Sequence, residues 1–142
     1  MTKIKAKNQE LIDLLQSLYD VQELKGVSFA LAVSKNIDRL KKDLKYIEDQ
    51  AKPNMEFQKV VDEVNAIANT ESDESAAKDK IAKIEKKNDK LVKERKAQLD
   101  EISKVLEEES EIDLMTINRD SLPTDITAKQ VGGLMKIINI FR

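Results

Sequence analysis

Apolar residues recur along Val27–Ala51 at Ala30, Val33, Ile37, Leu40, Leu44, Ile47 and Ala51, in alternating steps of 3 and 4. Those steps draw one stripe along a helix, the a/d seam of a coiled-coil-like contact. Pro53 interrupts the stripe, which resumes at Phe57, Val60, Val61, Val64 and Ile67. A proline lacks the N–H, so it either kinks a long helix or stands in the first turn of a new one. A kinked, nearly continuous helix is the expected form. Residues 69–75 (NTESDES) are polar and rich in cap and turn formers, and they mark a reversal. A third helix is expected over about residues 76–109. Its seam is Ile81, Ile84, Asn88, Leu91, Arg95, Leu99, Ile102 and Leu106.

A reversal near residue 73 sets the two arms in register. Leu40 falls opposite Leu106, Leu44 opposite Ile102 and Ile47 opposite Leu99. Past the proline, Phe57 faces Asn88, Val61 faces Ile84 and Val64 faces Ile81. Ala51, a small residue, faces Arg95, a long polar one. The charges match as well. Lys35, Arg39, Lys41, Lys42 and Lys45 run beside Asp100, Glu101, Glu107, Glu108 and Glu109. Glu56, Asp62 and Glu63 run beside Lys83, Lys86, Lys87 and Lys90. Complementary blocks set register and orientation even where each pair is weak.

The two ends read differently. In residues 1–8 (MTKIKAKN), Ile4 and Ala6 alternate with Lys3, Lys5 and Lys7, which is a short strand or a basic tail. Asn8 is placed to cap a helix carrying Leu11, Leu14, Leu15 and Leu18, and Gly26 to close it in a left-handed cap. Residues 111–118 (EIDLMTIN) are β-branched and alternating, and can pair with Lys3–Lys7 in a small sheet. Residues 121–125 form a turn. Thr127 then caps a last short helix with Val131, Leu134, Ile137 and Ile138. Gly132–Gly133 inside that helix either permits a close backbone approach or marks a break.

The fold class that follows is mainly α. A long antiparallel helical hairpin stands on a small base made by the N- and C-terminal helices and a two-stranded β element. One domain spans the chain, with base residues 1–26, a hairpin over 27–109 with its tip near 69–75, and base residues 110–142.

Composition narrows the chemistry. The 142 residues carry 37% charge and 4% aromatics, and contain no His, Cys or Trp. That removes His acid–base catalysis, thiol nucleophiles, disulfides and Cys/His zinc sites together. The net charge of −2 suits neither a dedicated nucleic-acid binder nor a global DNA mimic. No apolar run reaches the roughly 18 residues of a membrane span. The start lacks the apolar core and cleavage site of a signal peptide, so a cytoplasmic protein is expected.

The remaining candidates for chemistry are few. Gly132–Gly133 lacks the Lys-Ser or Lys-Thr of a phosphate loop and the GxGxxG spacing. The acidic run Glu107–Glu111 lies mostly on a helix and lacks calcium-loop spacing, so it reads as a solvated helix end beside a lysine-rich arm. The basic stretch of residues 78–96 has interleaved acids and no aromatic platform, the mark of a charged helical face. Ser28, Ser34, Ser103 and Ser110 have no His partner. Asn88 and Arg95, polar residues in an apolar seam, specify register and partner number. No enzyme, cofactor or metal is expected.

One resemblance adds to this reading. Three stretches carry it: Lys3–Asn8 before Glu10–Ile12, Leu24–Ala32 before Lys35–Asn36, and Ile112–Leu114 through Leu134 to Ile137–Ile138. In this order of features the chain resembles small bacteriophage-encoded accessory proteins of unassigned function. The resemblance implies phage origin and a compact accessory protein acting in the cytoplasm of a host cell. It transfers no catalytic or binding residues.

The functional expectation is contact with another protein, a host or phage partner, and inhibition of a host system. Alternatives are a virion-assembly or scaffold component, and an oligomer that sequesters a small ligand near Gly132–Gly133. Leu31, Val60 and Ile67 lie off the paired positions, and together with Asn88 and Arg95 they are the expected partner-binding residues. The apolar excess also predicts a homo-oligomer.

Overall fold

The computed structural model describes residues 1–140. The chain is mainly helical with a small antiparallel sheet. In order the elements are β1 (Thr2–Lys7), α1 (Asn8–Asp20), α2 (Val27–Ala51), α3 (Met55–Thr70), α4 (Glu74–Lys87) and α5 (Asp89–Glu107). There follow β2 (Glu109–Leu114), β3 (Ile117–Asn118), a 3-10 turn (Arg119–Ser121), α6 (Ala128–Gly133) and β4 (Ile138–Asn139). Two compact units result. Met1–Tyr46 joins the described residues that follow Ser103, and Ile47–Ser103 forms the second. Helices α2 and α5 each contribute to both.

In the first unit the alternating N-terminus pairs antiparallel with β2, Ile4 opposite Ile112 and Lys5 opposite Glu111. Period 2 sends Ala6, Ile112 and Leu114 inward, all buried. It sends the lysines outward, where Lys3, Lys5 and Lys7 reach Glu111, Glu109 and Glu107 at 3.8, 3.5 and 3.0 Å. These carboxylates therefore serve β1. The lysines of α2, expected beside Glu107 and Glu109, hold no ion pair with them. The acidic run is divided between the end of α5 and the start of β2, and does not continue one helix.

The leucine stripe of α1 is buried at Leu11, Leu14 and Leu18, and Val21 follows it inward. The helix ends at Asp20, short of Gly26. Gly26, with φ of +131°, instead stands before α2, and its carbonyl accepts from Ala30 N at 2.8 Å. Asn8 is not a cap. Lys7 holds the cap position, and the Lys7 N–H donates to Glu10 Oε1. The Asn8 side chain is buried. Its amide donates to the Val105 carbonyl at 2.7 Å and its oxygen accepts from Ser110 Oγ at 2.6 Å. It ties α1 to the end of α5 and to β2.

The seam of α2 is buried at Val33, Ile37, Leu40 and Leu44, with Phe29 and Ala32 ahead of them. Ala30, expected on the seam, is exposed. Thr127 caps α6, its oxygen accepting from Gln130 N while Gln130 Oε1 accepts from Thr127 N. That helix ends at Gly133. Ile137 and Ile138 belong to the turn and strand after it, and β4 pairs in parallel with β3 through Ile117 and Ile138. A two-glycine C-terminus favours the early stop.

In the second unit, α3 and α4 form a helical hairpin about the turn Glu71–Asp73, where the polar stretch foretold it. The Asn54 side chain caps α3 by accepting from Phe57 N at 2.7 Å. Pro53 precedes that cap and lies in no helix, so the chain breaks there and does not kink. The returning arm is also two helices. It is interrupted at Asn88, whose amide donates to the Ile84 carbonyl at 2.9 Å. An Asn side chain competing for a helix carbonyl explains the interruption.

Candidate interaction surfaces

The outer face of α2 is the feature in the first unit that its own core does not explain. Opposite the buried Val33 and Leu40 stand Val27, Leu31, Lys35, Asp38, Lys42, Lys45 and Tyr46, all exposed. Val27, Leu31 and Tyr46 are 80, 55 and 48% exposed. From Lys35 to Lys45 there are five cations against two carboxylates. None of those five cations has a carboxylate within ion-pair distance among the described residues. Arg39 has only a contact from Nη2 to the Met1 sulfur at 3.8 Å. From Val27 to Tyr46 the face runs about 28 Å, at 1.5 Å per residue.

A second site lies in the other unit, where α2 ends. Helix C-termini leave carbonyls without internal partners, and Pro53 prevents the next turn from supplying them. Arg95 on α5 donates from Nη2 to the Ala51 carbonyl at 2.7 Å and from Nη1 to Gln98 Oε1 at 2.7 Å. Gln98 in turn donates to the Gln50 carbonyl at 2.5 Å. Arg95 therefore meets Ala51, as the register required, and closes the helix end. Beside the pair is a cleft of about 270 Å³ lined by Lys52, Asn54, Phe57, Leu91 and Glu94. Arg95→Met should remove the clamp while keeping the stem. About 1–2 kcal/mol of stability should be lost, measured by urea unfolding at neutral pH.

The third site is at Gly133, where α6 rests on α1. A cleft of about 380 Å³ is lined by Glu10, Asp13, Leu14, Ser17, the two glycines, Met135 and Lys136. Lys136 Nζ stands 2.8 Å from Glu10 Oε2 across it. Among the described residues no buried side-chain N or O lacks a hydrogen bond, and no cluster of carboxylates is arranged to hold a metal ion.

Three groups titrate away from their ordinary values. The hydrogen bond from Lys136 holds Glu10 low, and that from Lys80 holds Glu71 low. The Glu107 carboxylate holds Lys7 high. Depressed carboxylates add stability that is present above the usual value of 4.5 and is lost as pH falls through the folded one. The raised Lys7 adds stability that is lost only as pH climbs beyond 10.5. The urea midpoint should therefore fall on acidification below pH 4.5, and less steeply in a Glu10→Gln, Glu71→Gln double variant.

The residues expected to bind a partner are not gathered in one place. Leu31 is exposed on α2. Val60 is the buried residue of α3, while Ile67 is half-buried. Asn88 bonds within its own arm, and Arg95 closes α2. Leu99 is 46% exposed and does not line the seam. The strict heptad from Arg95 leads to Gln98, which is half-buried beside its more apolar and exposed neighbour. Asn36 is a buried polar residue that the apolar pattern does not mark. It is buried on the α2 stripe three residues after Val33 and four before Leu40, and that polar interruption was its one signal.

No helix among the described residues is long and apolar enough to cross a membrane. Comparison with known proteins returns no match, either to a family model, to a curated protein or to a solved structure.

Proposed function

We propose that the chain is a non-enzymatic interaction protein of the phage-encoded kind, which binds and inhibits a host protein through the outer face of α2. The observation that carries this reading is that face itself. Three large exposed apolar side chains share it with Lys35, Lys42 and Lys45, none of which has a carboxylate partner among the described residues. Apolar anchors ringed by charge are how protein interfaces are built, and an unpaired basic rim selects a partner with an acidic surface. The phage assignment rests on the resemblance in feature order. The cytoplasmic placement goes with it.

Affinity capture from a bacterial lysate with the full chain as bait tests the reading. An acidic protein should be retained at low salt and released as salt rises, since exposed charge pairs are screened within about 10 Å at 0.1 M. Leu31→Asp should abolish retention without altering helicity. Retention of nucleic acid in place of protein, abolished by nuclease, would overturn the reading.

A further inference from the structure

The α3–α4 hairpin carries a wider apolar stripe than it covers. Apolar residues on α3 fall at Phe57, Val60, Val61, Val64 and Ile67, a pattern of a, d and e positions. A two-stranded contact needs only a and d, and the three-position face belongs to helices packed in a bundle. The burial agrees. Val60 is the one buried residue of α3, and α4 has none. Val61, Val64, Ile67, Ile81 and Ile84 are each only partly buried along the seam.

The charges along that seam are likewise unspent. Helix α3 carries Glu56, Asp62 and Glu63 against Lys59, while α4 carries Lys78, Lys80, Lys83, Lys86 and Lys87 against three acids. The pairing of the two blocks expected inside one chain is not made. Across the hairpin Lys80 meets Glu71 at 2.6 Å beside the turn, and Lys78 meets Glu74 within α4. Glu56, Asp62 and Glu63 have no cation in range among the described residues, and Lys83, Lys86 and Lys87 no carboxylate. Glu56 and Glu63, one heptad apart on α3, thus form an acidic edge beside the apolar stripe, and Lys80 and Lys87, one heptad apart on α4, a basic edge on the same side.

We infer that a second copy of this chain covers the hairpin, and that the two hairpins form a four-helix bundle about a two-fold axis running along the helices. A two-fold contact uses the same patch twice and must be self-complementary. An axis along the helices sets the acidic α3 of each copy beside the basic α4 of the other and completes both charge blocks. An axis across them would set α3 against α3, acid on acid. This surface lies in a different unit from the outer face of α2, so the pairing stands or falls independently of the proposed partner binding.

The axis is testable because it places both turns at the same end. The chain has no cysteine, so Ser72→Cys in the exposed turn gives one thiol per copy. With adjacent helices about 10 Å apart, a short bismaleimide should link the two copies in high yield. A bundle with turns at opposite ends would separate them by at least the length of α3, about 24 Å. Sedimentation should give a dimer at micromolar concentration. Val64→Glu with Ile84→Glu should weaken it by at least about a hundredfold, and Glu63→Lys, which leaves the apolar seam intact, should weaken it measurably. Val60, the buried residue of α3, is left untouched, so helicity by circular dichroism should persist. A strict monomer, or a dimer whose Ser72→Cys thiols do not crosslink, would overturn the inference.

Discussion

Asn36→Ala is expected to cost about 2–4 kcal/mol. The side chain is buried in the middle of the α2 stripe. Its amide donates to the Met115 carbonyl at 2.9 Å, and its oxygen accepts from Met115 N at 2.8 Å. Met115 stands between β2 and β3, where neither strand supplies its backbone with a ladder partner. Asn36 does so, as a strand would, with one donor and one acceptor in the fixed geometry of an amide. Truncation strands both backbone groups, and desolvated polar groups without partners cost about 1–3 kcal/mol each. Asn36→Leu tests the argument further. It restores apolar volume on an otherwise apolar stripe yet leaves Met115 unpaired, so it should be nearly as damaging. Urea unfolding followed at 222 nm measures both. A loss below about 1 kcal/mol in the leucine variant would mean the two bonds are not what holds this junction.

The two adjacent glycines should answer substitution with opposite signs. A Cβ on Gly133 would stand 2.5 Å from Ser17 Oγ and 2.9 Å from Ser17 Cβ. The hydroxyl can rotate, but the Cβ of a helical residue cannot move without moving α1. Gly133→Val should therefore force α6 off α1 and cost about 3 kcal/mol, the upper end for overpacking. A Cβ on Gly132 would meet nothing within 4 Å, and its φ is not positive. Gly132→Ala should stabilise by about 0.4–1 kcal/mol through the unfolded chain. Ser17→Gly should rescue Gly133→Ala in part, whereas Ser17→Ala should not, because it keeps the obstructing Cβ. Thermal unfolding of these variants gives the signs directly. The close approach also accounts for a residue pair that is poor helix material. Gly133 is there for the contact it allows, and helix α6 stops at it.

How much of this the sequence disclosed depended on how local the cause was. The 3-4 steps of α2, the alternation of β1 and the polar turn at Glu71–Asp73 act within a few residues of themselves, and each produced the element it foretold. The β1–β2 pairing was readable because two alternating runs of opposite charge are complementary across a ladder. Choices between distant partners were not readable. The lysines of α2 and those of β1 are equally suited to Glu107 and Glu109, and the β register decided for β1. Pro53 ended a helix outright because Arg95 and Gln98, far along the chain, were placed to satisfy the carbonyls it freed. Leu99 looked like a seam residue by its chemistry, and Gln98 was one by its position. Of the candidate surface, Leu31 was marked in advance by standing off the stripe. Val27 and Tyr46 carried no such mark, since an exposed apolar residue is identified only once the core it stays out of is known.

That the protein acts by contact through the outer face of α2 is the central claim, and a charge-matched capture experiment tests it most directly. Three baits are compared in one bacterial lysate: the unaltered chain, Lys42→Glu with Lys45→Glu on that face, and Lys96→Glu with Lys104→Glu on α5. The two variants change the net charge equally at exposed positions that hold no ion pair. The account predicts that a protein retained by the unaltered chain is also retained by the α5 variant and is lost by the α2 variant. Equal retention by all three, or equal loss from both variants, would contradict it.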